Sequence, residues 1–222
     1  MTSTFKISIV GGSGPQGKAL AYRFAKAGHT VALGSRSADR SQAAAEEVNN
    51  RLEGSGNVNG MENSDSLQGA DVVLLAVPYE GHAELVTSLA GDLAGKVVIS
   101  CVNPLGFDKR GPYGLDVPES AAEEAQRLAP GAAVVGAFHH LSAPNLWGPA
   151  PFLDHEDVLV CGDDAEAKST AIELARAVTG RDGIDAGALR LARQLEPLTA
   201  VLISINKRYK TRSGVQITGV SA

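Results

Sequence analysis

The chain has 222 residues, 44% of them hydrophobic and 20% charged, enough material for one substantial core or about one and a half domains. This composition excludes disordered and fibrous classes, and no window approaches the roughly 18 uninterrupted apolar residues of a membrane span. The formal net charge of −5 argues against a general nucleic-acid binder, yet it is unevenly spread: Lys207, Arg208, Lys210 and Arg212 follow the last acid, Glu196, and leave residues 1–196 at −9. Met1 to Phe5 leads directly into a strand-like run without the charged-then-apolar pattern of a signal peptide, so a cytoplasmic protein is expected. Cys101 and Cys161 are far apart and each ends an apolar run, which predicts two buried thiols rather than a disulfide or a zinc site.

Apolar runs of five to seven residues alternate with longer segments of helical period, the order of an α/β protein with a parallel sheet. Strands are expected at Phe5–Val10, Thr30–Leu33, Asp71–Val77, Lys96–Cys101, Ala132–Phe138 and Asp157–Cys161, with a weaker one near Val58. Runs such as Val72-Val73-Leu74-Leu75-Ala76-Val77 are apolar on both faces, as central strands covered on both sides must be. In the first helix Leu20, Phe24 and Ala27 fall on one face, and Gly28 stands where a left-handed cap would end it. Later helices are expected over Ala38–Leu52, Gly81–Leu89, Glu119–Leu128, Ala165–Val178 and Ala188–Ile205. The stretches Asn103–Pro118 and His139–His155, rich in Pro, Gly and aromatics, read as working loops. The second of them is the expected boundary between a nucleotide-binding part, residues 1–140, and a smaller part, residues 141–222.

After the first strand, Gly11-Gly12-Ser13-Gly14-Pro15-Gln16-Gly17 contains G-x-G-x-x-G, with Gly12, Gly14 and Gly17 in the glycine places. One glycine permits the tight turn, the next lets backbone approach a pyrophosphate, and the third lets helix and strand pack closely. Pro15 suits the first helical turn, where its missing N–H is no loss. With a strand before and a helix after, the motif points to a dinucleotide. The second strand ends in Gly34-Ser35-Arg36 with no acid until Asp39, so nothing there accepts the ribose hydroxyls of NAD. Ser35, Arg36 and Arg40 instead suit the 2′-phosphate of NADP.

Ligands of an open parallel sheet lie beyond the carboxyl ends of its strands. That rule adds Ala76, Val77 and Pro78 after the fourth strand, Val102, Asn103 and Pro104 after the fifth, and His139 and His140 after the sixth. No catalytic triad or metal-ligand cluster stands out, and Asp164 reads as the cap of the helix from Ala165. A dehydrogenase of alcohols needs an acid or base for its proton, whereas transfer between two heterocyclic cofactors chiefly needs aligned rings. The expected catalytic set is therefore ring alignment alone, with His139 as an orienting candidate and no metal.

Ile9 to Gly17, Gly34-Ser35-Arg36, Ala76-Val77-Pro78, Val160-Cys161-Gly162-Asp163-Asp164, Asp185-Ala186-Gly187 and Leu195-Glu196-Pro197-Leu198-Thr199 together resemble the coenzyme F420-dependent NADP oxidoreductase family over nearly the whole chain. The resemblance implies hydride transfer between NADP(H) and the deazaflavin coenzyme F420. It implies a Rossmann-like, doubly wound parallel sheet with a small C-terminal α/β cap domain, commonly as a homodimer whose partners are small-molecule cofactors rather than nucleic acid or membrane. Carried over by position, Ser13, Gln16, Ser35, Arg36 and Arg40 would bind NADP, and His139 would sit beside the deazaflavin. Asn103–Pro118, with Phe107, Lys109 and Arg110, departs from the more apolar archaeal version, while the tail with Val215 to Thr218 resembles a bacterial branch and is expected to add an edge strand. The basic run from Lys207 either steers an anionic cofactor or only complements a helix dipole. The competing readings are an NADPH-dependent reductase of an imine, flavin or quinone, and a non-catalytic NADP-sensing module.

Overall fold

A computed structural model describes residues 3–220. Eight strands form one sheet in the order β10-β9-β8-β5-β4-β1-β2-β3. They are β1 (Lys6–Val10), β2 (Thr30–Ser35), β3 (Val58–Glu62), β4 (Val72–Leu75), β5 (Val97–Ser100), β8 (Ala133–Gly136), β9 (Leu159–Gly162) and β10 (Ile184–Gly187). β6 (Leu105–Asp108) and β7 (Gly111–Gly114) pair as a separate antiparallel hairpin. Every pairing in the large sheet is parallel except β8 with β9. The expected Rossmann-like, doubly wound architecture is therefore present.

β1 is the pivot of the sheet. Ile7 is in register with Val31 on one side and Val72 on the other. The chain winds outward through β2 and β3, then returns to wind the other way through β4, β5 and β8, leaving a crevice beyond the carboxyl ends of β1 and β4. The helices α1 (Pro15–Lys26), α2 (Ala38–Arg51), α3 (Asn63–Ser66), α4 (His82–Leu93), α5 (Ala121–Leu128), α6 (Ala143–Leu146), α7 (Ala165–Leu174), α8 (Arg176–Thr179) and α9 (Ala192–Tyr209) make the crossovers and layers.

The central strands have helices on both faces, which explains their unbroken apolar runs. On one face Leu20 and Phe24 of α1 and Val48 of α2 are fully buried with Ile9, Leu33 and Leu74. On the other, Val86 and Leu93 of α4 and Ala125 of α5 cover Val73, Leu75 and Val98. Truncating a fully buried Leu or Phe in such layers costs on the order of 2–5 kcal/mol. Gly28 ends α1 with φ +96, as its position suggested, but Ala27 is exposed at the helix end instead of extending the apolar stripe.

Three departures from the sequence expectations have physical causes. The tail from Val215 forms no strand: the Val215 carbonyl accepts from Asp157 N, Ile217 N donates to the Asp157 carboxylate, and the edge place belongs to β10. Asn103–Pro118 holds the β6–β7 hairpin, which lies against α9; a Cβ on Gly114 would come within 2.8 Å of Pro197. The strands after residue 141 extend the same sheet, so the boundary expected near residue 140 coincides with the change from parallel to antiparallel pairing and not with a gap between sheets. Both cysteines are free and buried; burial pushes the Cys101 thiol up to about 12 and the Cys161 thiol up to about 11. Asp164 caps α7 by accepting from Ala167 N at 2.8 Å.

Candidate functional site

At the end of β1 the chain turns through Gly11 at φ +75, where a Cβ would collide with Val77 Cγ1 at 2.5 Å. Gly12 N donates to the carbonyls of Ile9 and Gly34, and a Cβ there would meet Leu33 at 2.6 Å. A Cβ on Gly17 would meet Gly12 Cα at 2.6 Å. These glycines are required by the protein's own packing. Gly14 is different: its φ of −76 suits any residue, and a Cβ there would have only the Gly11 carbonyl within 4 Å, at 3.6 Å. Glycine at that position leaves open room for a ligand at the mouth of α1. No side chain caps α1, and Pro15 is its first residue, so its leading N–H groups remain for an anion.

A cleft of about 560 Å3 opens over this turn, lined in part by Ser13, Gly14, Ser35, Arg36, Arg40 and Asn63. Ala76, Val77 and Pro78 form its floor beyond β4, and Gly81, Glu84, Leu85 and Ser88, spaced at three and four residues on α4, form the far wall. Ser13 Oγ donates to Ser35 Oγ at 3.3 Å, linking the glycine turn to the end of β2. Arg36 and Arg40 are exposed, and neither forms an ion pair among the described residues. A forked guanidinium pair beside a helix N-terminus is suited to a phosphate monoester.

Asn63 and the α4 wall were not legible in the sequence. Asn63 Oδ1 accepts from Gly11 N at 3.3 Å, and Ser66, one turn on, meets Ser8 Oγ at 2.8 Å beneath the loop. Gly34 is what admits α3 so close, since a Cβ there would lie 2.6 Å from Ser66 Oγ and 2.8 Å from Asn63 Oδ1. A sequence offers no signal for this beyond a polar residue following a short strand.

The remaining candidates lie beside the cleft and not in its lining. Leu75, Ser100 and Gly136 are in register across β4, β5 and β8, so the segments after them stand side by side at one end of the sheet. Asn103 Nδ2 donates to the His139 carbonyl at 2.9 Å, and Thr199 of α9 donates to the same oxygen at 2.9 Å. Asn103 Oδ1 is buried and has no partner among the described residues, an orphaned acceptor that suits a ligand with an N–H. Val102 is a core side chain, Pro104 is buried with its carbonyl accepting from Leu115 N at 3.0 Å, and the Gln16 amide reaches the Phe138 carbonyl at 3.5 Å instead of entering the cleft.

His139 presents its carbonyl to these donors while its ring is buried. Neither ring nitrogen has a partner among the described residues, and burial, with His140 adding a smaller effect, pulls its pKa down to about 3. Burial therefore favours the neutral imidazole at physiological pH. His140 Nε2 donates to the Asp157 carbonyl at 2.6 Å, a structural bond. The turn itself is strained: Phe138 has φ +61 and is held by an edge-to-face contact with Phe24 at 5.9 Å. Beyond it, buried Arg23 of α1 donates to the carbonyls of Asn145, Leu146, Ala150 and Pro151, fastening the His139–His155 loop to α1.

The C-terminal motifs make contacts within the fold. Asp163 accepts from Leu189 N at 3.0 Å, and Asp185 accepts from Gly187 N and pairs with Lys168 at 3.0 Å. Glu196 is buried and accepts from Ala121 N and Ala122 N at 2.9 and 3.0 Å, closing the start of α5 against α9. Burial pushes its pKa up to about 7; the two N–H bonds oppose the shift, and Glu123 and Glu124 add to it. No group of three or more His, Cys, Asp or Glu side chains placed to hold a metal occurs among the described residues. No helix among them is long and apolar enough to cross a membrane.

Residues 6–104 match the family model described as NADP oxidoreductase, coenzyme F420-dependent. The chain is 37% identical over 227 residues to the F420-dependent NADP reductase of Methanocaldococcus jannaschii, covering 97% of this chain and 99% of the relative. It is 37% identical over 225 residues to the F420-dependent NADP reductase of Methanothermobacter thermautotrophicus, covering 97% and 95%. Among solved structures, an Arthrobacter protein provisionally described as an F420-dependent NADP-reductase superposes with a TM-score of 0.81 at 30% identity, covering 96% of this chain and 99% of that one.

Proposed function

The chain belongs to the coenzyme F420-dependent NADP oxidoreductase family, and from that premise we propose that it transfers a hydride between NADP(H) and coenzyme F420. The observation that carries the reading is the cleft itself. Its open Gly14 and uncapped helix suit a pyrophosphate, and its two unpaired arginines suit a 2′-phosphate. When both are bound, the nicotinamide and deazaflavin rings would supply the hydride chemistry. The work of this chain is to bind and align both.

In this reading residues 1–140 hold NADP, with the glycine turn of Gly12 to Gly17 under the pyrophosphate and Ser35, Arg36 and Arg40 on the 2′-phosphate. Ala76 to Pro78 and Val102 to Pro104 border the ribose and nicotinamide. Residues 141–222 close the second site, where Asn103, the His139 segment and Thr199 meet. His139 acts by positioning backbone, with its neutral ring as packing. Exposed Phe107 and Tyr113 on the hairpin and Val201 on α9, at 68%, 46% and 53% exposure, support a homodimer.

Mixing purified protein with NADPH and oxidised F420 tests the reading through loss of the deazaflavin absorbance. Bleaching that requires the protein is the expected result. Tight NADPH binding without bleaching would overturn it in favour of another acceptor or a sensing role.

A further inference from the structure

Four cations end the chain's charge pattern, and nothing described above uses them. Lys207 and Arg208 lie in the last turn of α9, Lys210 closes the helix at φ 51, and Arg212 follows on the returning chain. The return is clamped: Asn206 Oδ1 accepts from Ser213 N at 2.6 Å and from Ser213 Oγ at 2.8 Å. This clamp puts Arg212 and Lys207 in one groove of about 380 Å3, with Ser142, Pro144, Ile203 and Asn206 as the other lining residues. None of the four cations forms an ion pair among the described residues. The helix dipole accounts for cations in the last turn, but not for Arg212, which lies beyond the helix and lines both this groove, with Lys207, and a neighbouring cavity shared with Asp154 and Glu156.

The groove also has a definite place. Thr199, Ile203 and Lys207 recur every four residues and share one face of α9. Thr199 holds the His139 carbonyl, and Ser142 and Pro144 belong to the loop that leaves His139. From Thr199 to Lys207 the helix rises about 12 Å, at about 1.5 Å per residue. A ligand whose ring lies beside Asn103 and His139 therefore meets this groove if its side chain follows α9.

Building on the hydride-transfer reading, we propose that the groove holds the anionic tail of the deazaflavin substrate, with Lys207 and Arg212 receiving its phosphate and glutamate carboxylates. The rest of the chain is net negative and repels such a tail, so the basic groove sets both its direction and its approach.

Equilibrium titration by deazaflavin fluorescence, with NADP+ present, tests this by comparing F420 with the ring-and-ribityl analogue that lacks phosphate and glutamates. Wild type is expected to bind F420 about tenfold more tightly at low salt, with the advantage shrinking as salt rises. Lys207→Glu with Arg212→Glu should abolish the advantage and leave the analogue's affinity unchanged. Arg190→Ala, in the turn that precedes α9, should leave the advantage intact. Equal affinities in wild type, an advantage insensitive to salt, or one that survives the double substitution overturns the groove assignment and leaves hydride transfer standing. Binding of neither ligand by wild type overturns both. Both substituted positions are exposed, and the salt titration of wild type needs no variant.

Discussion

The backbone N–H of Gly11 donates to Asn63 Oδ1 at 3.3 Å, so the glycine turn after β1 is held by a side chain from beyond β3. Asn63→Ala removes that acceptor and leaves the Gly11 N–H unpaired. The expected cost is about 1 kcal/mol of stability, with NADPH affinity lowered by up to about tenfold as the turn loosens. Thermal melting and NADPH fluorescence titration of the variant measure the two effects. An unchanged affinity would show that the turn is fixed without Asn63.

The glycines of the motif divide by what a methyl group would meet. Gly12→Ala and Gly17→Ala drive a Cβ to 2.6 Å from Leu33 and from Gly12 Cα, and are expected to destabilise the fold by about 1–3 kcal/mol. Gly14→Ala has room and should melt like wild type, yet lose most of its affinity for NADPH. A Gly14→Ala protein that folds and binds normally would remove the pyrophosphate from this turn.

Arg36 and Arg40 stand in the cleft without carboxylate partners among the described residues. Replacing both with Ala should weaken NADPH by about 10- to 100-fold, from charge-assisted bonds worth about 1.5–3 kcal/mol, while NADH binding changes little. Parallel titrations with the two dinucleotides decide it, since a preserved preference would place the 2′-phosphate elsewhere.

Stability should depend on pH with two opposed slopes. Glu196 has its native pKa raised from 4.5 to about 7, so the native state binds the extra proton, and this stabilisation is lost as pH rises through 7. His139 has its native pKa lowered from 6.5 to about 3, so its contribution is present above 6.5 and lost as pH falls toward 3. Each slope is at most about 1.4 kcal/mol per pH unit. Urea unfolding should therefore show losses below pH 4.5 and between 6.5 and 7, with partial cancellation between 4.5 and 6.5. Glu196→Gln should abolish the loss on the alkaline side; an unaltered slope there would assign it to another group.

The parts of this molecule visible in its sequence are those in which one local rule dominates. Val72 to Leu75 could only be a central strand, and Gly12, Gly14 and Gly17 mark the turn between β1 and α1 because strand, turn and helix follow at short range. What stayed hidden depends on long-range meetings. β10 is four residues ending in glycine and becomes a strand only because β9 offers it an edge. Gly111-Pro112-Tyr113-Gly114 has little strand propensity and is ordered against Pro197 of α9. Glu84, Leu85 and Ser88 read as an ordinary helix surface until α4 is placed opposite Arg36. His139 was correctly located after β8, but which of its groups faces the donors depends on the positive φ of Phe138, and a phenylalanine gives no warning of that conformation.

Arg23 holds the His139–His155 loop through four backbone carbonyls and no carboxylate. Carbonyls do not titrate, and a guanidinium keeps its proton throughout the working range. The fastening of the loop to α1 is therefore indifferent to acidity, while the α5–α9 contact through Glu196 is not. Titration near neutrality is therefore felt at α9 and the hairpin that leans on it, and not where Arg23 holds the loop.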